Sequence, residues 1–277
     1  SKMSYGDAST EFETATGVHV PKRTIHSFVG EIAPRLLEAD RTAVKAGLII
    51  GDSTKVRGLA RREMNNVRVL ISGGGRMLAL EVNEKWPPAE AEVLVSDGEP
   101  GLVNAVEAGR RQLCIIHAIR YLLFTLWREG MSKEEREEAG RAIKQTLFTL
   151  VNSTRKHLED RDYERLQVRI GWTLRELHAM AQGLGSRGYP KAAAFIEKHA
   201  RFVVTFAELA LEGVRIPYTT NRIERLMGEI SKRCKHKWMH WSTSGLKNIL
   251  SIILVRYTDE ALYEAFKNAY IHNEAFI

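Results

Sequence analysis

Hydrophobic and polar positions follow two different periods along this chain. Between residues 46 and 117, short apolar runs of strand length alternate with polar or glycine-rich connections; they read AGLII, NVRVLIS, MLALEVN, AEVLVSD and QLCIIH. Before and after this segment, apolar residues recur every three or four positions, which is the spacing of an amphipathic helix. The pattern therefore predicts a segment of five strands with helices on both sides of it in the sequence.

The five strand candidates predict an α/β fold with a mixed sheet. Short connections and the glycine run at residues 73–75 join the first three, so we expect an antiparallel meander. A helical stretch over residues 100–109 joins the fourth and fifth, which predicts a β-α-β crossover and a parallel pair. Three antiparallel strands followed by two parallel strands are the pattern of the ribonuclease H-like fold. The glycine run lacks the Lys-Ser/Thr pair of a phosphate-binding loop and precedes a strand, so we interpret it as a hairpin turn.

Two short helices are predicted in residues 1–44. Gly17 stands where a helix C-cap belongs, and Pro21 suits the first turn of a second helix. Two helices joined by a short turn have the shape of a helix-turn-helix, whose second helix can enter the major groove of DNA. Lys22 and Arg23 begin that second helix, so we predict that they contact DNA, although a plain helical hairpin fits the same pattern.

The composition limits the class of protein. A chain of 277 residues with 44% hydrophobic residues is long enough to bury a sizeable core. No apolar run approaches the roughly 20 residues that a membrane-spanning helix needs, and the N-terminus lacks the pattern of a signal peptide. The two cysteines, Cys114 and Cys234, argue against a disulfide-stapled secreted protein. We therefore expect a cytoplasmic protein with no membrane partner.

Positive charge is concentrated near the end of the chain. The formal net charge is +7, and residues 215–247 hold eight Lys/Arg against two Glu. A basic block of this kind is typical of a protein that binds a polyanion, above all nucleic acid, although a solvated helix face is the alternative. The residues of this block predicted to bind DNA phosphates are Arg222, Arg225, Lys232, Arg233, Lys235 and Lys237.

Three carboxylates are candidates for a metal site. Asp52 is predicted to follow the first strand and Asp97 to end the fourth, which places both at the rim of the sheet. Glu224 lies on a predicted helix at the edge of its apolar stripe. Two divalent ions about 4 Å apart can activate a water or a 3′-hydroxyl and stabilise the leaving oxygen of a phosphodiester, and such ions need hard oxygen ligands.

Each carboxylate also has an ordinary structural explanation. Aspartate is common in the turns that follow strands. The spacing Asn221-x-x-Glu224 is that of a capping box, in which the glutamate reaches back to the cap of its own helix. The residues alone leave both explanations open.

Four motifs resemble one family of enzymes. They are GDSTKVRG around Asp52, SDGEPGLVNAV around Asp97, CIIH from Cys114 to His117, and TTNRIERLMGEISKRCK around Glu224. Together they are similar to the DDE transposases of the Mutator-like superfamily, including its bacterial and archaeal insertion-sequence members. The resemblance spans residues 46–257. Its most specific parts are the spacing from Asp97 to the C-x-x-H motif and the TTNRIER block, whereas the Asp52 motif is looser.

The resemblance implies a ribonuclease H-like catalytic core interrupted by an all-α insertion domain. The core is expected in residues 45–118 and 217–277, the insertion in residues 119–216, and the helix-turn-helix-like segment in residues 1–44. It implies a DNA transposase that cuts phosphodiesters at transposon ends and transfers the 3′-hydroxyl into target DNA. Such an enzyme holds two DNA ends at once, so a homodimer on DNA is expected, in the nucleoid of a prokaryotic cell.

The resemblance also assigns roles to single residues. Asp52, Asp97 and Glu224 match the catalytic acids and are expected to hold two Mg²⁺ or Mn²⁺ ions. The residues expected to support the active site are Cys114, His117 and Asn221. Two alternatives change the function: a ribonuclease H-like nuclease or resolvase that cuts without joining, and a domesticated DNA-binding protein that does not catalyse.

A zinc site is a further hypothesis for the cysteines and histidines. Cys114 and His117, together with Cys234 and either His236 or His240, could supply four ligands from two segments of the chain. A buried small hydrophobe is the alternative for Cys114, because that residue falls within the last predicted strand.

The tryptophans raise the question of base stacking. Trp238 and Trp241 lie between Lys237 and a Ser-Thr-Ser segment, so we predict that they contact DNA by stacking on an unpaired or flipped base at a cleaved end. Trp127 is at helical spacing with other apolar residues, and we expect it in a helix core.

Overall fold

The computed structural model describes residues 4–38, 44–235 and 239–271. Within these ranges the chain forms five strands and ten helices. In chain order they are α1 (Tyr5–Thr16), α2 (Lys22–Glu38), β1 (Lys45–Arg57), β2 (Met64–Ser72), β3 (Met77–Val82), β4 (Ala89–Ser96), α3 (Pro100–Ala105), β5 (Val106–Leu113), α4 (Ile115–Arg128), α5 (Lys133–Glu159), α6 (Tyr163–Ser186), α7 (Pro190–Leu211), α8 (Asn221–Cys234), α9 (Thr243–Thr258) and α10 (Glu260–Ile271). None of these helices combines the length and the apolarity required to span a bilayer.

The strands form one mixed sheet in the order β3-β2-β1-β4-β5. Strands β2 and β3 are antiparallel, with Val67 opposite Val82, as the predicted hairpin requires. Gly75 adopts φ 96° in the connecting turn, and its N–H donates to the carbonyl of Ser72 at 2.8 Å. A left-handed backbone suits glycine because glycine has no Cβ, so the interpretation of the glycine run as a hairpin turn is confirmed.

Strands β1 and β5 have other boundaries than those predicted. Strand β1 continues to Arg57, so Asp52 lies within the strand and does not follow it. The polar residues after Asp52 still alternate in burial and end on the fully buried Val56, which is how a half-buried strand extends without an apolar run. Strand β5 begins at Val106, inside the segment predicted as helix, because α3 ends after a turn and a half.

The described contacts divide the chain into two compact units. One unit comprises residues 1–46, 51–90 and 221–277, and the other comprises residues 47–50 and 91–220. The predicted domain boundaries differ from the bounds of these two units, and the predicted domains stay a prediction.

The first unit contains the predicted N-terminal helix pair. Ser4 caps α1 with its side chain, and Gly17 ends it with φ 71°, as expected for a left-handed C-cap. Helix α2 packs on α9, burying Ala33 and Leu36, and α9 in turn packs on β3. The helix pair is thereby held on the helices that end the chain.

The second unit is built around helices α4 to α7. Their apolar faces share one core with the end of β5, and α4 shows the reason: Ile115, Ile119, Leu122 and Leu126 recur every three or four positions and are all buried. The side-chain oxygen of the buried Gln112 in β5 accepts from the backbone N–H of Phe206 in α7 at 2.7 Å. This hydrogen bond satisfies the buried oxygen and connects the strand to the helix.

Candidate active site

Asp97 directly follows β4, as predicted. Its Oδ1 atom accepts from the backbone N–H of Glu99 at 2.9 Å, and Ser96 Oγ accepts from the N–H of Gly98 at 3.2 Å. Gly98 has φ 89°, and a Cβ at this position would lie 3.0 Å from Leu113 Cδ1. The Ser-Asp-Gly-Glu sequence therefore builds a tight turn that only glycine completes without strain, and this turn sets the direction of the Asp97 carboxylate.

The C-x-x-H motif begins at the end of the adjacent strand. The backbone N–H of Cys114 donates to the carbonyl of Ser96 at 2.8 Å, which joins the end of β5 to the end of β4 beside Asp97. Cys114 occupies the N-cap position of α4, and His117 lies in the first turn of that helix. The prediction that Cys114 lies inside a strand is wrong by one residue, because β5 ends at Leu113.

Thr220 completes this cluster, and sequence reasoning missed its role. Its hydroxyl donates to Cys114 Sγ at 3.3 Å and lies 3.4 Å from His117 Nδ1, and its backbone N–H donates to the same sulfur at 3.4 Å. Thr220 is fully buried. The sequence carried no local signal for this role, because the partners of Thr220 lie more than a hundred residues earlier in the chain.

The environment of Cys114 acts on its ionisation in two opposite ways. Burial disfavours the thiolate, whereas hydrogen bonds from His117 and Thr220 stabilise it. The hydrogen bonds outweigh the burial, so the pKa of Cys114 lies below its ordinary value. The sulfur of Cys114 therefore accepts hydrogen bonds at the centre of a polar cluster, which a buried small hydrophobic residue would not do.

Glu224 lies on α8, half-buried at the edge of an apolar stripe, as predicted. The helix begins at Asn221, which is exposed, so the cap position falls on Thr220. Three residues after Thr220 comes Ile223, which is buried and apolar. The capping-box explanation of Glu224 does not fit this register, because it needs Asn221 at the cap.

Asp52 lies in the middle of β1 and is half-buried. Its Oδ1 atom accepts from the N–H of Ser53 at 2.7 Å. Two residues further along β1, Thr54 accepts from Lys235 Nζ at 2.5 Å, so the segment after α8 lies beside this strand. Asp52 and Glu224 belong to the first unit, and Asp97, Cys114 and His117 belong to the second.

The residues predicted to bind DNA differ in their availability. Lys22, Arg23 and Arg225 are exposed. Arg222 donates to the carbonyl of Gly73 in the β2–β3 turn, and Lys232 forms an ion pair with Glu229 at 2.6 Å. That ion pair raises the pKa of Lys232. Lys237 and Trp238, like His236, lie outside the described residues.

Arg233 is not a surface residue. Only 8% of its surface is exposed, and its Nε and Nη1 atoms have no hydrogen-bond partner among the described residues. The burial of this guanidinium argues against a DNA contact by Arg233, and its predicted DNA-binding role stays a prediction. The apolar stripe of α8 extends further round the helix than its charges suggest, because Arg233 and Cys234 are both buried at its end.

The structure separates the tryptophans in a way that the sequence did not predict. Trp241 is half-buried, and its indole Nε1–H donates to the carbonyl of Cys234 at 3.2 Å. Its backbone pairs with the end of β1 through Arg57, so it is firmly placed in the first unit. Trp127, which we expected in a core, is 55% exposed on α4.

Cys234 is a buried thiol. Burial raises the pKa of Cys234 to about 12, with only partial compensation from Arg233. A bound zinc ion would itself displace the thiol proton, so the zinc hypothesis stays a prediction. His240 Nδ1 lies 2.8 Å from the carbonyl oxygen of Gly58, so a structural contact already occupies that ring nitrogen.

The chain is similar to a known protein family. The model of the family described as "Transposase, Mutator family" matches residues 89–263. This stretch includes Asp97, the C-x-x-H motif and Glu224, and it begins after Asp52. No curated protein matches the chain.

Proposed function

Because the match covers more than half of the chain, the protein belongs to the Mutator family of transposases, and we propose that it cuts phosphodiesters at transposon ends and joins the 3′-hydroxyl to target DNA. The proposed catalytic acids are Asp52, Asp97 and Glu224. The proposed core is ribonuclease H-like, which the sheet order β3-β2-β1-β4-β5 supports. The helices between β5 and α8 correspond to the proposed insertion domain.

One observation carries this proposal. The turn that directs Asp97 is joined through the Ser96 carbonyl to Cys114, and the side chains of Cys114 and His117 hold Thr220. Thr220 immediately precedes α8, so this hydrogen-bonded cluster fixes the residue after which the helix carrying Glu224 begins. A buried polar cluster that anchors two proposed catalytic segments is what a positioned active site requires.

The three acids suit hard divalent cations such as Mg²⁺ or Mn²⁺. All three are half-buried carboxylates, so each keeps an accessible surface while part of it is shielded from water. One oxygen of Asp97 is held by the Glu99 N–H, and the other has no hydrogen bond among the described residues, as a ligand atom would require. Two such ions, when bound, would activate the attacking oxygen and stabilise the leaving oxygen.

The chain's own residues hold the acids and the DNA. The turn at Gly98 fixes Asp97, and the cluster around Cys114 fixes the residue before α8. Exposed Lys22, Arg23 and Arg225 are proposed to bind backbone phosphates, because a cation that neutralises a phosphate releases a condensed counterion. A homodimer on DNA is proposed because transposition requires two ends in one complex.

The test uses DNA carrying the inverted repeats that flank the gene, with one 3′ end already cut. The wild-type chain is expected to join that end to a second duplex in Mg²⁺, and Asp97→Asn is expected to lower the rate by at least about a thousandfold, since a metal site supplies several kcal/mol. Asp160→Asn, an exposed aspartate at the end of α5, is the matched control and should keep full activity.

Four results are distinguishable. Joining that requires Asp97 supports the proposal. Cutting without joining would instead identify a nuclease or resolvase with the same site. DNA binding with no metal-dependent reaction would identify a protein that no longer catalyses, and an Asp97→Asn variant with unchanged activity would overturn the assigned site.

A further inference from the structure

A long cleft runs along α4 and α7 in the second unit. Its volume is about 940 Å³, and it starts at Asp97 and His117. Its far end lies where α4 meets α7, at which Glu129 accepts from the backbone N–H of Lys191 at 2.8 Å. From His117 to Arg128 the helix rises about 16 Å, which is the length of about five stacked nucleotides.

Aromatic rings are exposed along this cleft. Tyr121 is 61% exposed and Phe124 is 50% exposed, although both lie on a helix whose other face is a well-packed core. Tyr121 stacks on Phe195 with ring centroids 5.3 Å apart, and Phe195 lies 4.5 Å from the ring of His199. Tyr121, Phe195 and His199 therefore form a continuous series of rings from α4 to α7, and Phe124 lines the same cleft.

Cations accompany these rings. They are Arg120, Arg128, Lys191 and Lys198. None of the four forms an ion pair with a described residue, whereas Arg110 and Arg187 of the same unit are paired with Glu212 and Glu135. The carboxylates of the cleft, Asp97 and Glu99, both lie at the end where metal ions are proposed. Away from that end the cleft is basic.

We propose that this cleft binds an unpaired DNA strand that leads to the scissile phosphate at Asp97, with bases stacked on Tyr121, Phe124 and Phe195 and phosphates bound by the four cations. The position of the scissile phosphate rests on the function proposed above; the binding of an unpaired strand does not. Rings alternating with cations are the features that recognise single-stranded nucleic acid. A duplex keeps its bases inside the stack, so it would leave the exposed rings without a partner.

A protein helix is a less suitable occupant. Helix-in-groove recognition relies on a continuous apolar groove. Here Arg120, Arg128 and Lys198 line the cleft together with the rings, and a helix partner would have to desolvate or pair these cations.

The first test measures binding of fluorescein-labelled oligothymidine to the full chain by anisotropy, without divalent ions so that no cleavage occurs. Tyr121→Ala combined with Phe124→Ala is expected to weaken binding at least about tenfold, because one base stacked on an aromatic ring contributes about 1–3 kcal/mol. The matched control is Tyr163→Ala combined with Trp172→Ala on α6. These two rings are about as exposed as the first pair but do not line the cleft.

The second test removes charge and keeps the rings. Arg120→Ala combined with Lys198→Ala should weaken binding and lower the slope of log affinity against log salt by about 1.4, which corresponds to two lost phosphate contacts on a single strand. The control is Arg141→Ala combined with Lys144→Ala, two exposed cations of α5 away from the cleft. This pair of variants keeps the proposal testable even if the aromatic double variant does not fold.

The outcomes separate this inference from the proposed function. No binding of oligothymidine, stronger binding of a blunt duplex of equal length, or equal effects of cleft and control variants would overturn the inference, even if the protein joins DNA ends normally. Oligothymidine binding that is lost in the cleft variants would support it, even if the wild-type chain proves unable to cut or join DNA.

Discussion

The hydroxyl of Thr220 donates to Sγ of Cys114 at 3.3 Å, although 106 positions of sequence separate the two residues. The backbone N–H of Thr220 donates to the same sulfur. Because Thr220 immediately precedes α8, the thiol holds the point at which the helix carrying Glu224 begins. In the proposed active site Cys114 is a positioning residue, and the spacing of the C-x-x-H motif gives no indication of its partner Thr220.

Removing the Thr220 hydroxyl should weaken both the fold and the reaction. Thr220→Val keeps the shape of the side chain but leaves the buried Cys114 and the half-buried His117 without that partner, at a cost of about 1–3 kcal/mol. We expect a fall in Tm of a few degrees and slower joining of DNA ends, measured by thermal denaturation and a strand-transfer assay. Thr219→Val is the control, since Thr219 is nearly as buried. Equal effects of the two substitutions would contradict the positioning role.

Gly98 should not tolerate a side chain. Gly98→Ala would force φ 89° on a residue with a Cβ and place that Cβ 3.0 Å from Leu113 Cδ1. The strained backbone costs about 1–3 kcal/mol, and any relaxation moves the carboxylate of Asp97. We expect a lower Tm together with loss of activity. The matched change Gly183→Ala lies in α6 with nothing within 4 Å of the new Cβ, and it should stabilise the chain by up to about 1 kcal/mol.

Arg233 should be replaceable by an apolar residue. Arg233→Met removes a buried charge with two unsatisfied nitrogens and keeps a long side chain in its place. Replacement of a buried charge by a hydrophobic residue of similar volume is often neutral or stabilising, by up to about 4 kcal/mol. We expect an unchanged or higher Tm and unchanged salt dependence of DNA binding. A large fall in Tm would show that the guanidinium has a partner that the described residues do not provide.

The stability contributed by Cys234 should depend on pH. Burial raises the pKa of this thiol to about 12 from an ordinary value of 9.0, so the unfolded chain releases the proton at lower pH than the folded chain does. The contribution is therefore fully present below about pH 9 and is lost as the pH rises towards 12. The Tm difference between the wild type and Cys234→Ala should shrink between about pH 8 and about pH 10.5.

Cys114→Ala provides the control for that experiment, because the pKa of Cys114 is shifted in the opposite direction. Its stabilising contribution grows as the pH rises through the lowered pKa. The Tm difference between Cys114→Ala and the wild type should therefore increase as the pH is raised towards about 9 and stay constant above it. A Tm difference for Cys234→Ala that stays constant over the whole range would contradict the assigned burial.

The strand pattern predicted much of the fold because buried strands and amphipathic helices leave a periodic signal. Five strands, the hairpin turn at Gly75 and the helix C-cap at Gly17 follow from such local rules. The end of β1 did not follow, because beyond Asp52 the strand is held by its neighbours and carries polar residues at alternating positions. Tertiary contact and not local hydrophobicity extends it to Arg57.

In the candidate site, too, local sequence predicted some features, and contacts between distant residues determine the others. The position of Asp97 at the end of β4 could be predicted, because the residues next to it in the sequence form the turn that follows the strand. The role of Thr220 could not be predicted, since its partners are more than a hundred residues away. Nor could the burial of Arg233 or the exposure of Trp127, because helical spacing gives the direction of a side chain but not whether another element covers it.

Glu224 is proposed to be a catalytic acid and not a helix cap. The most direct measurement is the rate of joining of a pre-cut transposon end in Mg²⁺ by Glu224→Gln, with Glu229→Gln on the same helix as the matched control. We expect Glu224→Gln to keep its Tm within a few degrees and to lose at least about a thousandfold in rate, while Glu229→Gln loses only its ion pair with Lys232. A Glu224→Gln variant that joins DNA ends as fast as the wild type would exclude Glu224 as a catalytic acid.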